Sequence, residues 1–271
     1  MKREGIFVMG AIIVGVVLQI VSGPFPMELI KFPVNFILAL VLLILSVKGG
    51  KVFRKSVHSL KFSVFLILLL TVQVLIMGFM PDNRIKDSWP FVITYFFILV
   101  DLAIVISERL KKKGRNSSSF LLIHAGLLIL LIAAGLGSSD KIQLFLKVNE
   151  GESVRNGYDR LTGKTYRLPF EITLEDFSIE YYPDRSIKSY NSLVTLKNSD
   201  SKAKKWDIRV NHPLRYGSWW IYQYSYDLDK GGDSKYAVLQ LVRDPWLILA
   251  WVGISILFAG AVNMFWKGGR P

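Results

Sequence analysis

The 271-residue chain contains no cysteine. Disulfide staples, thiol redox chemistry and cysteine-held metal sites are excluded, and with them a thiol-reducing role. Histidine is nearly as scarce: there are three, His58, His124 and His212, with no pair at metal-ligand spacing. A metal site built from protein side chains alone is therefore not expected. Also missing are a glycine-rich phosphate loop, a Gly-x-Ser-x-Gly elbow and a His-Glu-x-x-His helix. Acidic residues are outnumbered by basic ones, 21 to 34, for a net charge of +13. That excess does not mark a nucleic-acid partner. Residues 138–244 hold 17 Lys/Arg against 15 Asp/Glu, so the surplus lies in and around the apolar runs, where it reports membrane orientation.

What is abundant is apolar. Hydrophobic residues make up 51% of the chain and its mean hydropathy is +0.36, more than an ordinary soluble domain carries. Uncharged or nearly uncharged runs occupy residues 6–21, 32–47, 60–80, 89–106, 120–137 and 246–265, each near the roughly 20 residues that cross a bilayer. The first follows Lys2-Arg3 and has the outline of a signal peptide. It lacks an A-x-A cleavage site and more runs follow, so a retained helix is expected. Pro33 stands in the first turn of its run, where proline is tolerated. Three polar segments with the amino-terminal tip hold 14 basic residues, among them Lys51, Arg54, Lys55, Arg109, Lys111, Lys112, Lys113, Arg115, Lys267 and Arg270. The two short loops on the other side hold Lys31, Arg84 and Lys86. The positive-inside rule then places both termini in the cytoplasm and residues 138–244 outside. Trp89, Trp246 and Trp266 fall at run ends, where an aromatic belt belongs.

The outer segment alternates. Phe170, Ile172 and Leu174 share one face, the phase slips at Glu175-Asp176, and Phe177, Ile179 and Tyr181 resume it; such a slip predicts a β-bulge. Pro183-Asp184 predicts a turn. Further alternation at Trp206-Ile208-Val210, Trp220-Tyr222-Tyr224-Tyr226 and Tyr236-Val238, with Gly231-Gly232 between the last two, predicts a small antiparallel sandwich. The expected fold is a membrane protein of about six transmembrane α-helices with an extracytoplasmic all-β, sandwich-like domain inserted before the last helix. Residues 1–137 are the region of about five helices, 138–244 the β domain, and 245–271 the last helix and a cytoplasmic tail.

Two ionisable residues lie within spans. A charged or titratable side chain in a bilayer is costly and points to function by default. His124 is either a haem or metal ligand or a structural histidine bonded to a neighbouring helix. Asp101 is either a carboxylate near the inner interface, hydrated or paired with Lys111–Lys113, or a partner of His124. At about 1.5 Å rise per residue both residues sit roughly 7–9 Å inside the inner ends of neighbouring antiparallel spans, where Asp101 could accept the second ring N–H. Gly126, Ala133 and Ala134 give this helix a face suited to close approach. His58 reads as a solvated loop residue and His212 as a turn residue. Trp219-Trp220 puts one indole on each face of a strand, one for the core and one for an edge or a partner.

Several segments together resemble the ResB family, also called CcsB, of system II cytochrome c biogenesis. They are Leu122-Ile123-His124-Ala125-Gly126-Leu127, Leu168-Pro169-Phe170-Glu171-Ile172, Asp176-Phe177-Ser178-Ile179-Glu180-Tyr181-Tyr182-Pro183, Val210-Asn211-His212-Pro213-Leu214-Arg215-Tyr216-Gly217, Tyr222-Gln223-Tyr224-Ser225-Tyr226 and Arg243-Asp244-Pro245. The similarity runs over residues 120–265. It implies a membrane subunit that works with a ResC/CcsA-like partner. The pair moves haem b to the outer face of the bacterial inner membrane and assists its attachment to apocytochrome c. It implies that His124 is a haem iron ligand, and that the chain is an accessory rather than a catalytic subunit. Family members commonly have three spans before the outer domain, where five are read here, and this outer domain is short. The partner's tryptophan-rich WWD motif is absent, since Ile221 follows Trp219-Trp220. A membrane-anchored β-domain adapter for another exported complex is the main alternative. A small-solute transporter is disfavoured by the lack of repeat symmetry.

Overall fold

The computed structural model describes residues 2–48, 59–80, 84–111, 117–198 and 203–268. His58 and the loop cations Lys51, Arg54, Lys55, Lys112, Lys113, Arg115 and Arg270 lie outside the described residues. The chain forms two units: Met1–Asp140 with Trp246–Pro271, and Lys141–Pro245.

The first unit is helical. Its described helices are α1 (Lys2–Ser22), α2 (Val34–Lys48), α3 (Leu60–Phe79), α4 (Trp89–Lys111), α5 (Ser117–Gly135) and α6 (Leu247–Gly268). Four stretches, Leu60–Phe79, Trp89–Lys111, Ser118–Asp140 and Leu247–Trp266, are long and apolar enough to cross a membrane; Ile6–Ser22 and Val34–Ile44 are shorter apolar segments. These runs are apolar around most of the helix, the pattern of helices without a water-facing side. α4 is central and packs against α1, α2, α3 and α5. It buries Leu99, Val100, Leu102, Ala103 and Ile104 along with Asp101 and Ser107. Polar clasps fasten its neighbours: Gln73 of α3 donates to Thr94 Oγ1 at 3.1 Å, and Tyr95 Oη donates to the Leu131 carbonyl of α5 at 2.6 Å.

α5 and α6 form the closest pair. A Cβ at Gly126 would stand 2.5 Å from Leu257 N, one at Gly253 2.7 Å from Leu130 N, and one at Gly260 2.7 Å from Ile123 N. Backbone meets backbone there because glycine has no side chain to hold the helices apart. The close-approach face expected at Gly126 therefore exists, and the last helix fills it. Of the two alanines grouped with Gly126, Ala133 is buried and Ala134 is exposed.

The second unit is one antiparallel sheet of eight strands: β1 (Ile142–Asn149), β2 (Ser153–Tyr158), β3 (Thr165–Tyr181), β4 (Ile187–Asn198), β5 (Lys204–Arg209), β6 (Leu214–Tyr216), β7 (Trp219–Tyr226) and β8 (Tyr236–Arg243). Their order is β5-β4-β3-β2-β1-β8-β7-β6. The expected sandwich of two sheets is thus corrected to a single sheet that bends over its own core. β4 and β5 approach β7 across that core, and Arg209 and His212 bridge the two ends of the order. One reason is the 17-residue β3, whose register shifts between Leu174 and Asp176, at the bulge read from the sequence. A bulge bends its strand and sharpens the local twist, so one long strand turns the corner that two sheets would otherwise divide.

Inward residues include Leu144, Leu146, Leu168, Phe170, Ile172, Leu174, Val194, Leu196, Ile208, Ile221, Leu239 and Leu241. The phase read for the last strand is corrected: Tyr236 and Val238 are only partly buried, while Ala237, Leu239 and Leu241 form the buried set. On β7 a register shift between Gln223 and Ser225 leaves Tyr222 and Tyr224 exposed and turns Tyr226 inward.

Candidate functional site

His124 sits in the second turn of α5, where the apolar run begins after Ser117-Ser118-Ser119. Its Nδ1 lies 2.8 Å from the Phe120 carbonyl, one helical turn back. A carbonyl only accepts, so Nδ1 donates, and in the neutral form of the ring Nε2 is the nitrogen with the lone pair. The imidazole stacks on the Phe120 ring at 3.7 Å between centroids and 20° between planes. The Arg109 guanidinium, from the last turn of α4, lies 5.3 Å from the centroid of the same ring. At this end of the unit Asn263 of α6 donates to Ser119 Oγ at 2.9 Å and to Ser118 Oγ at 3.2 Å. The result is an oriented imidazole whose outer nitrogen takes no hydrogen bond among the described residues, in a helix otherwise apolar beyond its first turn. That arrangement can ligate a metal of the haem type.

The Asp101 carboxylate is buried and accepts from Ser63 Oγ of α3 at 2.7 Å. The ring N–H expected to meet it is already donated to Phe120. α4 and α5 are neighbours, as their short connection implies, but helix rotation turns the carboxylate toward α3. The contact that orients the ring is a backbone carbonyl of the histidine's own helix.

The two tryptophans divide as strand geometry requires. Trp219 is buried and faces the core beside Ile221, so it is the core indole of the pair. Trp220 is half-buried on the other face, with the Arg215 guanidinium 5.6 Å from its ring centroid. His212 is exposed in the turn before β6, after Asn211 at φ 61°, as expected.

Sequence reasoning missed two features. One is the hub at Asp140, which accepts from the Phe32 amide at 2.9 Å, Asn35 Nδ2 at 2.8 Å and Trp246 Nε1 at 2.6 Å. Ser139 Oγ also donates to the Ile30 carbonyl at 2.9 Å. These bonds draw residues 138–140 into the helical unit, three residues past the boundary read from hydropathy. The other is Arg109. A lone acid past an apolar run and a cation in a helix's last turn both look like interface charges in sequence, and only their partners distinguish them.

Comparison with known proteins turns on one observation: the ResB-like family model matches residues 110–234. The chain carries a ResB-like segment. That segment starts beside Arg109, takes in His124, and ends just before β8. It contains all the resemblance motifs except Arg243-Asp244-Pro245. Among relatives, NrfI of Wolinella succinogenes is 36% identical over 95 residues, 34% of this chain and 10% of that protein. The cytochrome c biogenesis protein Ccs1 of Pyropia yezoensis is 32% identical over 118 residues, 42% of this chain and 26% of the relative. The cytochrome c biogenesis protein CcsB of Synechococcus sp. (strain WH7803) is 32% identical over 112 residues, 40% of this chain and 24% of the relative. The aligned stretches thus span only 10% to 26% of the length of these relatives. A solved structure of the cytochrome c haem lyase CcmF aligns with 96% of this chain and 44% of its own at 15% identity and a TM-score of 0.41, a likeness too loose to carry an argument.

Proposed function

We propose that this chain is a ResB-like subunit of a cytochrome c maturation complex that acts with a ResC/CcsA-type partner. It crosses the bacterial inner membrane six times, with both termini in the cytoplasm and the β unit outside. Haem b is its cargo, and the haem contributes the macrocycle that becomes attached to apocytochrome c. The β unit holds the apocytochrome or braces the partner, with Trp220 on the contact face. His124 holds haem iron through Nε2. The observation that carries this reading is the oriented imidazole, with Nδ1–H donated to the Phe120 carbonyl at 2.8 Å and Nε2 left to ligate, in a segment that matches relatives named for cytochrome c biogenesis. The chain lacks a WWD motif, so it serves as an accessory subunit rather than the whole synthase.

The experiment is a haem spectrum of the protein co-purified with its partner. His124→Ala is expected to lose the bound haem, with added imidazole restoring part of it. Co-expression with the partner in a host without other maturation systems is expected to yield holocytochrome c, and this chain alone is not. Unchanged haem content in His124→Ala would remove the ligand assignment, and maturation by this chain alone would remove the division of labour.

A further inference from the structure

We infer that Arg109 binds an anionic oxygen group on the ligand held by His124, the carboxylate of a haem propionate. The inference rests on the haem-ligand reading above and names the second point of contact. Arg109 and His124 touch the same Phe120 ring, the guanidinium at 5.3 Å and the imidazole at 3.7 Å between centroids. The three side chains come from the last turn of α4 and the first turns of α5, and the shared ring puts the guanidinium carbon no more than about 9 Å from the imidazole centroid. Arg109 Nε is enclosed and has no hydrogen-bond partner among the described residues. An enclosed N–H of a cation that cannot deprotonate calls for an acceptor. Local acceptors are engaged elsewhere: Glu108 Oε1 accepts from Lys111 at 3.2 Å, and the Ser118 and Ser119 hydroxyls accept from Asn263. The planar guanidinium fork matches a carboxylate in two-point geometry. A lipid phosphate offers the same chemistry, so the test separates the two sources.

The test uses the full chain co-purified with its CcsA-type partner, in nanodiscs of phosphatidylcholine with and without phosphatidylglycerol. The probes are hemin and hemin dimethyl ester, whose propionates are blocked. The parent protein is expected to prefer hemin by about tenfold, the size of one charge-assisted contact. Arg109→Gln is expected to bind both probes equally, at the parent's affinity for the ester. Arg109→Lys is expected to recover part of the preference. A hemin preference that survives in Arg109→Gln overturns the proposal. So does a preference that vanishes when phosphatidylglycerol is added, which assigns Arg109 to lipid phosphate. His124→Ala is the separate control. If it keeps both probes while Arg109→Gln still erases the preference, the iron-ligand reading fails and the carboxylate site stands.

Discussion

At the scale of single residues, burial separates side chains that look equivalent in sequence. Phe170 is 2% exposed and meets Tyr216 edge-on at 4.9 Å, while Trp219 is 6% exposed in the same core. Truncating either leaves a cavity in addition to the lost transfer energy, and Phe170→Ala or Trp219→Ala is expected to cost about 3–5 kcal/mol. Trp220→Ala, on the outer face, is expected to leave the melting temperature nearly unchanged and to weaken partner association. Thermal melts of the detergent-solubilised protein check the first pair, and pull-down with the partner checks the last. A Trp220→Ala protein as unstable as Trp219→Ala would put both indoles in the core. The alternation of β7 shows in the sequence, but which phase faces inward does not: Trp219-Ile221 and Trp220-Tyr222 are both apolar pairs, and only the partner strands choose between them. The Glu175 carboxylate at the bulge is a milder case. It is held below the ordinary glutamate range first by the hydrogen bond from Thr195 Oγ1, at 2.6 Å, and then by Lys205, contacts that its position beside a phase slip does not reveal.

At the scale of elements, the α5–α6 seam carries the sharpest expectation. Alanine is a better helix former than glycine by up to about 1 kcal/mol. At Gly10 and Gly78 a Cβ meets nothing within 4 Å, so alanine there is expected to be neutral or stabilising. At Gly253 the added Cβ would lie 2.7 Å from Leu130 N and 2.9 Å from the Gly126 carbonyl, and neither backbone atom can step aside. Gly253→Ala is therefore expected to destabilise the pair despite the better helix propensity. Because the chain has no native cysteine, engineered cysteine pairs across the seam report its separation cleanly. Cross-linking should fall in Gly253→Ala and stay at the parent level in Gly10→Ala. Equal cross-linking in the two variants would mean that the helices slide to absorb a methyl group. Gly126 was legible as a small residue on α5. Its partner was not, because α6 follows more than 100 residues later, after the β unit.

At the scale of the whole molecule, orientation is the decisive expectation. The described residues include four stretches apolar enough to cross a membrane, two of which flank the β unit, so the parity of the spans before that unit determines its side. Reporter fusions after residues 113 and 269 are expected to read cytoplasm, and fusions after 147 and 200 the outside. A cytoplasmic signal from residue 200 would reverse the topology and remove access to an exported cytochrome. Composition and hydropathy determined the helical runs, the β unit between them and the histidine within an apolar run, because a bilayer imposes run length and a sheet imposes alternation on the chain locally. The motifs added the ResB-like resemblance. Only the tertiary structure decided that the strands form one bent sheet, that Asp101 turns to Ser63 while His124 donates to Phe120, and that Asp140 gathers Phe32, Asn35 and Trp246. The reason is physical. Each of those outcomes depends on the rotation of a helix about its axis or the choice of a distant strand as neighbour, and uniformly apolar helices and strands with apolar residues in both phases carry no local record of either.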